Sequence, residues 1–184
     1  MATSAEALAK EETDNLLGRE ENFEEDFEDM DSSDYHKESE YDVRDDLRTH
    51  QKVRTSLSGN IISLNNSTSK TVLQTTNEMS VDSQGLIHSG FIFGAAEYAA
   101  AVAVNEENLV IIAAKTKFLA PAKSGDVIEF EAKAKFEDSR KREIRVIGQI
   151  SEIKVFEGIY QAVVLEKHIL KTKIKNIDID YHAR

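Results

Sequence analysis

The most regular stretch of the chain is Val127 to Glu137, where Ile128, Phe130, Ala132, Ala134 and Phe136 alternate with Glu129, Glu131, Lys133, Lys135 and Glu137. Successive strand side chains point to opposite faces, so this period of two predicts a strand with one dry and one wet face. Ser124-Gly125-Asp126, just after the only proline, Pro121, predicts the turn that leads into it. Leu109 to Phe118, Ile144 to Ile153 and Tyr160 to Leu170 are also β-rich, with a charged turn at Asp138 to Arg142. The C-terminal half therefore predicts an antiparallel meander. Near the start of the same region Ile61, Ile62 and Leu64 form a short strand, Asn65 to Ser69 a polar turn, and Lys70 to Thr76 a paired second strand.

One long apolar stretch interrupts this β pattern, Ser89 to Val104, reading SerGlyPheIlePheGlyAlaAlaGluTyrAlaAlaAlaValAlaVal. It is apolar nearly all round, the mark of a helix buried on most sides. Its small residues, Gly94 to Ala96 and Ala99 to Ala101, let other backbones come close. The order of elements implies an α+β fold, an antiparallel sheet wrapped around one alanine-rich central helix. Upstream, Val43, Leu47, Val53 and Leu57 fall at roughly helical spacings among charges and predict a leading helix over 41–57, ended by Ser58-Gly59.

Charge divides the chain further. Residues 1–50 carry 18 Asp/Glu against 5 Lys/Arg, whereas the remainder carries 16 acids and 18 bases, so all of the formal −11 sits in the first quarter. Such an acidic segment cannot bury enough apolar surface to offset its ordering entropy, and residues 1–40 read as a disordered, flexible tail. The alternative is an arm that folds on a basic protein partner through Phe23, Phe27 and Leu16/Leu17. The expected division is tail 1–40, leading helix 41–57, one domain 58–170 and a C-terminal extension 171–184.

These numbers also exclude functions. A net negative chain without a basic stripe does not fit nucleic-acid binding. Zero cysteines exclude disulfides and thiolate metal sites. No apolar run reaches the roughly 18–20 residues of a membrane span, and the N-terminus has no secretory pattern, which together read as a soluble cytoplasmic protein. His36, His50, His88, His168 and His182 lack metal-like spacing with carboxylates, and neither a GxSxG elbow, a P-loop nor a Rossmann fingerprint is present.

Within the apolar helix stands one ionisable side chain, Glu97. Burying a carboxylate without partners costs several kcal/mol, so it either pairs at a dimer interface or solvent gap, or serves as a site carboxylate. Just before the helix lies Asp82-Ser83-Gln84-Gly85-Leu86-Ile87-His88-Ser89-Gly90. A glycine-bearing turn entering a helix leaves backbone N–H groups unpaired, so the amides of Ser89 and Gly90 are candidate oxyanion donors. His88 either bonds the loop or takes part in chemistry. Glu97 lies about two turns further, ~11–12 Å of axial rise, too far to share one carbonyl with the amides of its own chain. A site at a two-fold interface, in a homodimer or higher even oligomer, resolves this.

Gly85-Leu86-Ile87-His88-Ser89-Gly90 followed by Glu97 resembles the HisGlyGly-plus-acid signature of hotdog thioesterases of the phenylacetate-pathway type. There the acid sits nine residues after the histidine, as Glu97 does here. Asp82 and Glu97 resemble the Asp and Glu of a second hotdog group, acting on 4-hydroxybenzoyl-CoA and short acyl-CoAs. Over 58–170 the pattern is also similar to the acyl-CoA-sensing half of the bacterial fatty-acid synthesis repressor, and to flagellum-coregulated hotdog virulence proteins of campylobacters. The first glycine of the usual pair is Ser89 here, and the repressor's malonyl-binding arginine falls on His88. These resemblances imply a hotdog fold and acyl-CoA as ligand or substrate, with no cofactor.

They imply two functions. In a binding and sensing protein the acyl chain lies beside Phe91, Ile92 and Tyr98, with Lys115, Lys117, Lys123 or Arg140-Lys141-Arg142 meeting CoA phosphates; the alternative for that turn is a solvated hairpin tip. In a thioesterase Glu97 is base or nucleophile, Asp82 assists water or orients the loop, and the Ser89/Gly90 amides hold the oxyanion.

Overall fold

The computed structural model describes residues 42–136 and 140–171; residues 1–41, which include the acidic segment 1–40, and residues 137–139 and 172–184 lie outside the described residues. Six strands form one antiparallel sheet: β1 Asn60–Asn65, β2 Thr68–Gln74, β3 Leu109–Phe118, β4 Val127–Phe136, β5 Lys141–Ile150 and β6 Ile153–Val164. Among the described residues two α-helices accompany them, a single turn α1 at Thr55–Ser58 and the central α2 at Ser89–Val104. This is the α+β hotdog arrangement, a sheet around one long helix.

The sheet order, β1-β2-β4-β5-β6-β3, corrects the uninterrupted meander expected from residue 109. β4, β5 and β6 do follow one another, but β3 pairs with β6 at the far edge instead of with β4. Between β2 and β3 the chain runs along α2, which carries it from one side of the sheet to the other. β6 also starts earlier than the expected Tyr160 and ends at Val164 instead of Leu170. Ser151 and Glu152 both take positive φ, 47° and 70°, and close a two-residue hairpin in which Ile150 faces Ile153.

The dry face of β4 behaves as its alternation predicts. Ile128, Phe130 and Ala132 are fully buried in one cluster with Phe156, Tyr160 and the α2 residues Ala96, Ala99 and Ala100. Burying a side chain such as Phe130 or Phe156 contributes about 1.5–3 kcal/mol, and alanines on the helix leave room for these rings. Gly148 and Gly158 make room on the sheet side: a Cβ at either would lie 2.8 Å from a ring carbon, of Phe130 and Tyr160 respectively. Ser69 donates its hydroxyl to the Ala99 carbonyl at 2.8 Å, tying β2 to the helix inside the core.

On its other side α2 is covered by the segment ahead of the sheet. The leading helix expected over 41–57 is instead a 3-10 turn at Val43–Asp46, an irregular stretch, and α1, which does end at Gly59 with φ 96°. Leu47 packs on Tyr98 and Val102, with Val53, Ile61 and Leu64 beside them. Asn105, the left-handed C-cap of α2, clamps this strap: its Oδ1 accepts from the Arg48 amide at 2.8 Å and its Nδ2 donates to the Asp46 carbonyl at 3.0 Å. Asn105→Gly keeps the left-handed backbone while removing both bonds. It is expected to cost about 1–2 kcal/mol in denaturant unfolding, with faster amide exchange confined to residues 42–58; unchanged exchange there would refute the clamp.

Candidate functional site

The loop before α2 is held from several directions. Asp82 Oδ1 accepts from the amides of Gln84 (2.9 Å) and Leu86 (3.2 Å), so this carboxylate shapes the loop. Ile87 N–H donates to Ala122 O and His88 N–H to Met79 O, both at 2.9 Å, while Ser124 N–H donates to Gly85 O at 2.8 Å. The loop therefore reaches the helix start as a fixed platform.

His88 is the N-cap of α2, and its Nδ1 accepts from Gly90 N–H at 2.8 Å. An imidazole nitrogen that accepts carries no proton, so the neutral ring bears its hydrogen on Nε2. The two amides proposed as oxyanion donors are therefore not equivalent. Gly90 N–H is engaged by the histidine, whereas Ser89 N–H has no hydrogen-bond partner among the described residues. Ser89 is exposed at this helix N-terminus, where the dipole favours an electron-rich group.

Ser89 also lines a cavity of about 400 Å³. Its helix side is Ile87, His88, Ser89 and Ile92, and its opposite wall is the chain leaving β3, from Phe118 to Ala122. Phe118 and Leu119 are nearly half exposed and Phe93, on the helix, is more than a third exposed. The edge strand β3 continues this apolar surface with Ile112, 56% exposed.

Other expected site residues are distributed differently. Phe91 packs against the core and meets the His88 ring edge-on. Tyr98 does not line the cavity; it lies under the strap with Leu47 and Val102, where burial pushes its phenol up. Lys115, Lys117 and Lys123 are exposed, and Lys123 bridges Leu86 directly beside the cavity wall residue Ala122. Arg140 pairs with Glu166, and Arg142 is a buried β5 residue opposite Ala162, which corrects its reading as part of a solvated turn. Strand pairing reaches back to Lys141, further than the charged sequence predicted.

Glu97 is not buried among the alanines. It stands on an open face of α2, with Phe93 and Gly94 one turn before it, and a Cβ added at Gly94 would meet nothing within 4 Å. Its side chain is 28% exposed, and Oε1 lies 3.6 Å from Nε2 of His50, a strap residue. Tyr160 is close enough that the Glu97 charge adds to burial in pushing its phenol far up, so that phenol stays protonated. His50 was not singled out in the sequence beyond its lack of metal spacing. Forty-seven residues separate it from Glu97, and no local pattern links them. Among the described residues no group of three His, Asp or Glu is arranged to hold a metal ion, and no helix is long and apolar enough to cross a membrane.

The Thioesterase superfamily matches residues 84–145, the loop, α2 and the strands that follow. The structure of a sigma28-regulated virulence protein of Campylobacter jejuni, Cj0977, is 48% identical, covering 70% of this chain and 92% of that one with a TM-score of 0.68. The PaaI protein of Escherichia coli, from the phenylacetic acid degradation operon, shares the fold at 19% identity and a TM-score of 0.57, covering 62% of this chain and 84% of that one. Methylthioribose-1-phosphate isomerase of Aquifex aeolicus is 39% identical over 120 residues, 65% of this chain, which spans only 26% of that protein's length.

Proposed function

The chain belongs to the hotdog thioesterase superfamily, and we propose that it binds an acyl thioester of the coenzyme A class at the start of the central helix, in the cytoplasm and in a sensing or regulatory capacity. The observation that carries this reading is the cavity beside Ser89: apolar walls for an acyl or pantetheine chain, ending at an unpartnered backbone N–H on a helix N-terminus. The thioester carbonyl accepts from Ser89 N–H and from the Nε2–H that His88 is left with, and Lys123 stands at the rim for CoA phosphates.

A second copy completes the site. Among the described residues β3 has no strand on its outer side and presents Ile112 and Phe118, while the open face of α2 presents Phe93 and Glu97. Joining two such edges covers this surface and brings Glu97 of one protomer toward the Ser89 loop of the other.

Hydrolysis is the second reading, favoured by one observation: Glu97 is an accessible carboxylate on that face with a histidine beside it. A panel of acyl-CoAs separates the two, read by thiol release and by thermal shift. Stabilisation without thiol release supports binding alone, release adds hydrolysis, and neither response would sink the acyl-thioester reading.

A further inference from the structure

We infer that His50 is the positioning and proton-relay partner of Glu97, returning to solvent the proton that the carboxylate takes up in each turnover; this rests on the hydrolytic reading above. In that reaction a water oxygen bonds to the thioester carbonyl carbon while Glu97 takes its proton. Collapse of the tetrahedral adduct breaks the C–S bond, and the sulfur leaves with the electron pair and is protonated from solvent. Glu97 is then a neutral acid and must lose its proton before the next cycle.

Three independent features place His50 for this step. Its Nε2 is the nitrogen beside Glu97, 3.6 Å from Oε1, a gap that a small rotation of Glu97 closes because the helix face at Gly94 is open. Its Nδ1 lies 2.8 Å from the Thr49 hydroxyl. When Nδ1–H donates to Thr49 Oγ1, Nε2 is the bare acceptor facing the carboxylate. The ring and Thr49 also line a second cleft of about 400 Å³, with Asn108 and His168 across it, which is the exit to solvent.

The backbone supports a dedicated placement. His50 takes φ 52°, the left-handed region that non-glycine residues enter at a cost, and it is held there by the strap's packing through Leu47 and the Asn105 clamp. A helix-covering segment alone has no need of a histidine in that conformation with one nitrogen turned to a carboxylate.

The test compares wild type, Glu97→Gln, His50→Ala, His50→Gln and Thr49→Val on the best acyl-CoA of the panel. His50→Ala is expected to lower kcat about 10- to 100-fold with KM unchanged, and added imidazole, entering the second cleft, to restore much of the loss. His50→Gln, which keeps a hydrogen-bond donor but moves no proton, stays low, and Thr49→Val, which leaves the imidazole in place, falls less. Acyl-CoA thermal shifts report that each variant is folded and binds. A wild-type kcat in His50→Ala, full activity in His50→Gln, or a loss that imidazole leaves untouched overturns the relay while hydrolysis stands. A wild type that releases no thiol overturns hydrolysis itself and the relay with it.

Discussion

Glu97→Gln will lower thiol release from acyl-CoA by about 10²–10⁴-fold, the range expected when a general base is removed, and leave the ligand-induced thermal shift in place. Gln matches Glu in size and cannot take a proton from water. Because the side chain is already 28% exposed on the open helix face, no buried charge is created or stranded by the change. Tyr160 loses the Glu97 contribution to its raised phenol but keeps the larger one from burial, so its hydroxyl remains protonated and directed at the Phe93 carbonyl. A variant that binds and no longer hydrolyses assigns the chemistry to Glu97. Hydrolysis at the wild-type rate in Glu97→Gln would move the base elsewhere, and no release by either protein leaves binding as the activity.

The parts of this site that were legible in the sequence are those set by local rules. The alternation at Val127–Glu137 and the all-round apolarity of Ser89–Val104 follow from side-chain geometry within one element, and over the described residues the elements form as Val127–Phe136 and Ser89–Val104. What depends on distant pairing was not legible. Nothing in Leu109–Phe118 says that its neighbour is β6 instead of β4, because a strand's alternation identifies its faces and not its partner.

The hairpin at Ser151-Glu152 was hidden because its positive φ values fall on residues without the usual Asn-Gly signal. The strap misled for a related reason. Val43, Leu47, Val53 and Leu57 fall at roughly helical spacings, yet an isolated helix of that length is marginal, and packing on Tyr98 and Val102 satisfies Leu47 and Val53 without one. His50 reaches Glu97 only through that packed strap, so the carboxylate was visible in the sequence and its partner was not.

Ser89→Pro and Glu97→Gln, each nearly inactive alone, will recover about a quarter of the wild-type hydrolysis when unfolded together and refolded as mixed dimers: half the dimers are mixed, and each mixed dimer holds one intact site of two. Ser89 is the first residue of α2 after the His88 N-cap, the position where proline fits a helix best, and His88 already has the extended backbone that a following proline requires. The substitution therefore removes the unpartnered Ser89 N–H with little cost to the helix. The argument for sharing is distance: Ser89 and Glu97 are about two helical turns apart, ~11–12 Å, so one carbonyl cannot meet both from a single chain. If the loop and the carboxylate served within one protomer, each subunit of a mixed dimer would carry one defect and no activity would return. Ile112→Lys supplies the complementary measurement. A charge at Ile112, 56% exposed at the bulge of the β3 edge, is expected to shift the protein to monomer in sedimentation and, with the site divided, to abolish thiol release; an active monomer would refute the shared site.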